Sequence, residues 1–273
     1  MITSMTITDH IYGDAPFVYE GDLARGTAQA AELGYDGVEL HIADPDQVDA
    51  PSLEAALRSS GLLLTAIGTG RAYVNDGLSI TDPDQGRRQA AIARLERFLA
   101  LAGRFRAKII IGCMRGNLSS PQELPAALDR LRAAMEHLDR AAGSQGVSIV
   151  FEPINRYENN FLCTMRDISS FIRESGLENT GLLVDTFHMN IEEADLFASI
   201  RDCAAEIRYV HAADSNRRYP GQGHLPFAEL LRALRDAGYD GVVSAECLPW
   251  PGKREAAEGW IRSMRRLLRE AGC

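Results

Sequence analysis

The chain has 273 residues, 29 Lys and Arg against 38 Asp and Glu, a formal net charge of −9, and 45% apolar and 25% charged residues. That composition belongs to a folded globular chain, so disorder, a collagen helix and a disulfide scaffold are excluded. The negative balance argues against nucleic acid, whose phosphates need a basic face, and against an anionic membrane surface.

In chain order, short β-branched apolar runs alternate with longer segments of helical period. Strands are expected at 6–11, 37–42, 62–68, 107–114, 147–154, 181–186, 207–213 and 241–247. Spread over eight units, the chain gives about 34 residues to each, a normal size for a βαβ step. Lys108-Ile109-Ile110-Ile111 is apolar without alternation, as in strands covered on both faces. Helices are expected over 89–101, 124–142 and 227–237. In the first, Ile92, Leu95, Phe98, Leu99 and Ala102 recur every three or four residues. Asp82-Pro83, Ser120-Pro121 and Leu225-Pro226 mark helix starts, and Gly34, Gly61, Gly146, Gly176 and Gly238 mark helix ends. Leu33-Gly34-Tyr35-Asp36-Gly37-Val38 is echoed by Ala237-Gly238-Tyr239-Asp240-Gly241-Val242, which reads as shared turn chemistry between a helix and the next strand.

This alternation predicts an α/β fold, and eight units predict a single (β/α)8 TIM barrel over residues 1–273. An open doubly wound sheet would carry a glycine-rich phosphate loop after its first strand, and Tyr12-Gly13-Asp14-Ala15-Pro16 lacks G-x-G-x-x-G. No apolar run reaches the roughly 18–20 residues that span a bilayer. Met1-Ile2-Thr3-Ser4-Met5 does not open a signal peptide. The five cysteines contain no C-x-x-C pair, so reduced thiols and a cytoplasmic location are expected, with Cys113 and Cys247 as small buried groups.

In a barrel, function gathers at the carboxyl ends of the strands. Four consecutive expected strands carry metal-binding side chains there: Glu152, Asp185, His211 and Glu246. Neighbouring strands lie about 4.8 Å apart, so the four converge on one half of the mouth. Three carboxylates that close repel one another unless a divalent cation sits among them. Three oxygens and one nitrogen suit Mn²⁺, the favoured ion, or Mg²⁺ or Co²⁺. Asn155, Arg156 and Glu158 follow Glu152, His188 follows Asp185, and Asp214, Asn216 and Arg217 follow His211, where substrate contacts are expected. Arg115 follows the fourth strand, where a guanidinium fork could hold a substrate anion. Arg71 follows the third and could hold a substrate anion in the same way, but it reads more readily as a loop residue beside Asn75, Asp76 and Gly77. His10 and His41 end strands one and two and could reach the mouth.

At these residues the chain resembles the xylose-isomerase-like barrel superfamily and, within it, the ketose 3-epimerases. Glu152-Pro153-Ile154-Asn155-Arg156-Tyr157-Glu158, Asp185-Thr186-Phe187-His188-Met189-Asn190-Ile191-Glu192-Glu193 and His211-Ala212-Ala213-Asp214-Ser215-Asn216-Arg217 carry the resemblance. Gly68-Thr69-Gly70-Arg71-Ala72-Tyr73, Arg115-Gly116 and Glu246-Cys247-Leu248-Pro249 make it closest to the 5-keto-L-gluconate epimerase branch, which acts on keto-sugar acids. That family tends to carry Gln at the position of Arg71.

The resemblance implies a carbohydrate 3-epimerase dependent on a divalent metal, with a keto-sugar or keto-sugar acid as its partner and a dimer or tetramer as its assembly. It makes Glu152, Asp185, His211 and Glu246 the metal ligands and Glu152 and Glu246 the acid/base pair. It makes Glu158, His188 and Arg217 substrate contacts, and its keto-acid branch, with the place of Arg115 after the fourth strand, implies that Arg115 pairs with a terminal carboxylate of the substrate. One glutamate would take the C3 proton and the other return it to the opposite face. An aldose–ketose isomerase of the hydroxypyruvate isomerase type is the first alternative. Elimination from a 3-keto-glycoside and a non-catalytic sugar-binding barrel are the others.

Overall fold

The computed structural model describes residues 1–13 and 15–273; Asp14 lies outside them. Among the described residues eight parallel strands close into a ring: β1 (Ile2–Thr8), β2 (Gly37–His41), β3 (Leu63–Gly68), β4 (Lys108–Ile111), β5 (Ile149–Phe151), β6 (Thr180–Asp185), β7 (Ile207–His211) and β8 (Val242–Ala245). The ring is sealed where β8 pairs with β1, from Ile2 opposite Val242 to Met5 opposite Ala245. A two-residue strand, Tyr19–Glu20, pairs with Ile7 and Thr8 at the top of β1. The helices that follow each strand are α1 (Leu23–Leu33), α2 (Ala50–Ser60), α3 (Gln85–Phe105), α4 (Leu124–Ser144), α5 (Met165–Glu174), α6 (Leu196–Asp202), α7 (Phe227–Asp236) and α8 (Lys253–Ala271). Short helices Gly70–Asp76 and Thr186–Glu192 occupy the loops after β3 and β6. The fold is a single (β/α)8 TIM barrel.

Seven strands lie within a few residues of expectation, and β1 does not. It spans Ile2–Thr8 rather than 6–11 because Thr3, Ser4 and Thr6, which look like loop residues, are buried with their hydroxyls satisfied. Thr3 Oγ1 donates to Asp36, Ser4 Oγ bonds Thr65 Oγ1, and Thr6 Oγ1 donates to the Ala245 carbonyl. Ile11, placed inside the expected strand, is 80% exposed. β4 ends before Gly112, where the chain turns into a 3₁₀ segment over Cys113–Arg115.

The two echoed segments adopt one conformation: Gly34 and Gly238 each close a helix with φ 83°, a left-handed turn that disfavours a side chain. The larger core lies between strands and helices. A smaller one fills the barrel with Ala66, Ile110, Val150, Leu183, Tyr209 and Val242, one from each strand of β3 to β8. Truncating a buried leucine such as Leu183 to alanine costs about 2–5 kcal/mol. The plug therefore holds the strand ends, and whatever they carry, in fixed positions.

Candidate active site

Side chains alternate along a strand, so a residue two beyond an inward-facing one also faces inward. Two residues above Val150, Leu183 and Tyr209 stand Glu152, Asp185 and His211. Ser244, above Val242, is followed two residues later by Glu246. All four strand-end groups are buried, and one ligand atom from each lies within 4.8 Å of the others. On β3 and β4 the same step gives Gly68 above Ala66 and Gly112 above Ile110. A Cβ on Gly68 would stand 2.4 Å from His41 Nδ1, and one on Gly112 would stand 2.5 Å from Glu152 Oε2. Close approach requires glycine at both.

His211 Nδ1 lies 3.4 Å from Glu246 Oε2 and 3.7 Å from both Glu152 Oε1 and Asp185 Oδ2. His211 Nδ1 and Asp185 Oδ2 are buried without a hydrogen-bond partner. Oxygen ligands bind hard divalent cations at roughly 2.0–2.6 Å, which sets ligand atoms around one ion about 3–5 Å apart. The spacing, the two orphaned atoms and the donor set fit a divalent cation, and these four residues could hold one.

Electrostatics sorts the carboxylates. Burial raises Glu152, reinforced by the nearby Glu246 against the pull of His211. Burial also acts to raise Asp185 and Glu246, but His188, His211 and Arg217 hold Asp185 well below its usual range, and His211, His41 and Arg217 hold Glu246 down. His211 moves the other way: burial disfavours its charge, yet Glu39, Glu246, Asp185 and Glu152 raise its pKa well above the ordinary imidazole value.

Glu39 was not singled out by the sequence reading. It is fully buried in the middle of β2, with His211 Nε2 3.0 Å and His41 Nε2 2.6 Å from Oε1 and the Tyr209 hydroxyl donating to Oε2 at 2.8 Å. Burial would raise its pKa, and the two histidines lower it far below the carboxylate range. The available signal was an acidic residue inside an apolar strand, two residues before His41 on the same face.

His188, Glu158 and Arg217 line the cavity together with Glu152 and Glu246. Asn155 orients two of them. Its Oδ1 accepts from the Tyr157 backbone N–H, so Nδ2 is the donor to Glu158 Oε1 at 3.0 Å and to His188 Nδ1 at 2.7 Å. The imidazole proton of neutral His188 is then on Nε2, 3.8 Å from Glu152 Oε1 and 4.0 Å from Asp185 Oδ2. Arg217 Nη1 donates to Glu158 at 3.0 Å, and Nη2 lies 3.7 Å from Glu246. Its loop is pinned by Asp214, whose carboxylate accepts from the backbone N–H groups of Ser215, Gly221 and Leu225.

Arg115, expected at the opening, lies in the barrel wall. It is 0% exposed and does not line the cavity. Nη1 donates to the Glu152 carbonyl at 3.0 Å and Nε to Asn159 Oδ1 at 3.2 Å, between the rings of Phe151 and Phe161. Burial pulls its pKa down to about 10. Arg71, read as a loop residue, does line the cavity. His41 reaches the site, whereas His10 is exposed and pairs with Asp9. Cys113 stands in the cavity wall rather than the core, its thiol pushed up to about 12 by burial and by Glu152 and Glu246. Cys247 is buried as expected.

The free space enclosed is about 170 Å³. That is below the roughly 300 Å³ at which drug-sized pockets begin, and it suits a monosaccharide-sized ligand.

The sequence pattern of the xylose isomerase-like TIM barrel family matches residues 27–270. Ketose 3-epimerase of Arthrobacter globiformis is 33% identical over 217 residues, covering 79% of this chain and 74% of that protein. L-ribulose 3-epimerase of Mesorhizobium japonicum is 33% identical over 229 residues, covering 83% and 76%. Among solved structures, 3-keto-D-glucoside 4-epimerase of E. coli shares the fold with a TM-score of 0.81 at 24% identity, over 97% of this chain and all of that one.

Proposed function

The chain belongs to the xylose isomerase-like TIM barrel family and is a sugar epimerase, an isomerase; from that premise we propose that it inverts C3 of a ketose or keto-sugar acid. The observation that carries the reading is the pair Glu152 and Glu246, both lining one small cavity, with the unpartnered atoms of Asp185 and His211 between them. Inversion needs a proton removed from one face of the carbon and returned to the other. One of the two glutamates takes the C3 proton and the other returns it, and the roles exchange in the reverse direction.

A divalent cation held by Glu152, Asp185, His211 and Glu246, Mn²⁺ being the expected ion and Mg²⁺ or Co²⁺ also suiting the set, would polarise the ketone and the neighbouring hydroxyl. His188 aims its Nε2 proton at the carbonyl oxygen in the tautomer that Asn155 selects, and so disperses the charge that builds there. Arg217 adds a fixed positive charge beside Glu246, and Glu158 holds that guanidinium while accepting from a substrate hydroxyl. Phe17 lines the cavity, its ring 4.4 Å from that of His41, and gives the site an apolar wall.

The test is turnover of a ketose panel in D₂O with Mn²⁺ supplied. Deuterium at C3 of both recovered substrate and product is the expected result. Label at C1 or C2 alone would assign an aldose–ketose isomerase, and sugar binding without exchange would assign a non-catalytic barrel.

A further inference from the structure

We propose that Tyr209 is a positioning residue for His211: its hydroxyl, held from across the barrel by Thr65, fixes the Glu39 carboxylate against which the imidazole is set. The inference rests on the reading of Glu152, Asp185, His211 and Glu246 as a divalent-cation site. It carries that reading deeper, to Tyr209, Thr65 and Ser4, which do not line the cavity. From the imidazole downward, His211 Nε2 lies 3.0 Å from Glu39 Oε1, and Glu39 Oε2 lies 2.8 Å from the Tyr209 hydroxyl. The Tyr209 hydroxyl is 2.8 Å from Thr65 Oγ1, which is 2.7 Å from Ser4 Oγ. All five residues are buried. In a ring of eight strands β3 and β7 stand opposite one another, so the phenol crosses the barrel to reach Thr65.

The protons of this chain have one consistent order. The carboxylate only accepts, so the single proton of Tyr209 goes to Glu39 Oε2. The phenol oxygen then accepts from Thr65, and Thr65 accepts from Ser4. The Val38 carbonyl also lies 3.0 Å from Thr65 Oγ1, but a proton sent there would leave two oxygen lone pairs facing each other at 2.8 Å. Donors aligned in one direction polarise one another and strengthen the last bond, the one to Glu39. His41 holds Oε1 at 2.6 Å and Tyr209 holds Oε2, so the carboxylate presents both oxygens to His211 Nε2, at 3.0 and 3.2 Å.

Two irregularities in the sheet allow the meeting. Thr65 is an extra residue of β3 between the pairs Val38–Leu64 and Glu39–Ala66, and Arg208 is an extra residue of β7 between Leu182–Ile207 and Leu183–Tyr209. An extra residue reverses the face that the chain presents beyond it. Ile207 therefore packs in the outer core while Tyr209, two residues on, fills the barrel. Thr65 and its neighbour Ala66 both point inward. A phenylalanine at 209 would fill the same space, so the hydroxyl serves the chain rather than the packing.

The experiment compares wild type with Tyr209→Phe, Thr65→Val, Glu39→Gln and the double variant of Tyr209→Phe with Glu39→Gln. Mn²⁺ affinity is measured by calorimetry, and the His211 Nε2–H resonance of the metal-free protein by ¹H–¹⁵N NMR. Tyr209→Phe is expected to weaken Mn²⁺ binding by about threefold to tenfold, the net worth of one hydrogen bond, and Thr65→Val by less. On the Glu39→Gln background Tyr209→Phe should cost less than about twofold, because its effect travels through Glu39. Activity lost at limiting Mn²⁺ should return at saturating Mn²⁺. Ile110→Val, in the same barrel plug, should lower Tm and leave the affinity alone, which separates positioning from lost packing. Where wild type binds Mn²⁺, an affinity unchanged or raised in Tyr209→Phe, or an equal loss on both backgrounds, would overturn the proposal. Should wild type take up no Mn²⁺ while Tyr209→Phe shifts the N–H resonance and speeds its exchange with water, the cation reading falls and the positioning of His211 stands. Equal affinity with an unmoved resonance does the reverse.

Discussion

Glu39 Oε1 lies 3.0 Å from His211 Nε2, so the buried carboxylate fixes which imidazole nitrogen is free to face the cluster of Glu152, Asp185 and Glu246. A carboxylate behind a metal-binding histidine sets its tautomer and basicity. Glu39→Gln keeps the shape and removes the charge. Its expected effect is a loss of Mn²⁺ affinity of about 10–100-fold, read by metal titration, with the circular dichroism spectrum unchanged. Unaltered affinity would refute the role.

Glu39, Glu246, Asp185 and Glu152 raise the pKa of His211 well above the ordinary imidazole value, against the effect of burial. A cation can use Nδ1 only once that nitrogen has lost its proton. Affinity for Mn²⁺ should therefore rise with pH and level off once the solution pH passes the raised pKa of His211. Calorimetry in two buffers of different ionisation enthalpy should show proton release on binding. Removing the ion with a chelator should lower Tm, because binding to the folded state alone stabilises it.

Arg115 acts as a strut between the Glu152 carbonyl and Asn159. Arg115→Met takes this donor from the Glu152 carbonyl and leaves Asn159 Oδ1 with the Phe161 backbone N–H alone, at about 1–3 kcal/mol for a buried group left unpaired. The expected result is a lower Tm and equal losses of turnover on acidic and neutral ketoses. A loss confined to the acid would restore a substrate role to Arg115.

Asp214 ties down the loop that carries Arg217, a residue itself in the left-handed region at φ 59°. Burial acts to raise the Asp214 pKa, and the backbone N–H groups of Leu225, Gly223, Ser215 and Gly221 lower it below the ordinary value. A depressed carboxyl pKa adds stability that is complete above the unfolded-state value, near about 3.9, and fades as pH falls through the folded-state value. Asp214→Asn should lower Tm clearly at pH 7 and by progressively less as the pH is taken below 4. Turnover should fall as well, since Arg217 loses its anchor.

Gly112→Ala places a methyl group 2.5 Å from Glu152 Oε2, so either the glutamate or the backbone must move. Epimerase activity is expected to drop by about tenfold or more, in line with the sensitivity of rate to ångström-scale misplacement. Wild-type activity in the variant would show that the Glu152 carboxylate position is not constrained.

Much of the site was legible because of strand periodicity. Glu152, Asp185, His211 and Glu246 sit where the chain leaves four successive strands, and alternation turns all of them inward. Glu39 was hidden by the same rule, since a charged residue enclosed by Val38 and Leu40 carries no mark of a strand end. Arg115 was expected at the opening because the fourth strand was taken through Met114, whereas it ends at Ile111. The turn at Gly112 sends the guanidinium back into the wall instead of toward the opening. β1 was displaced because Thr3, Ser4 and Thr6 look like solvent-facing residues, and only the closed ring supplies their hydroxyl partners.

Gly68 and Gly112 put no side chain at the ends of β3 and β4, while the β5–β8 side carries every group assigned to proton transfer. Selection can then retool what the enzyme accepts by altering the short helix at Gly70–Asp76 and its surroundings. The reaction itself, housed across the ring, would be inherited untouched.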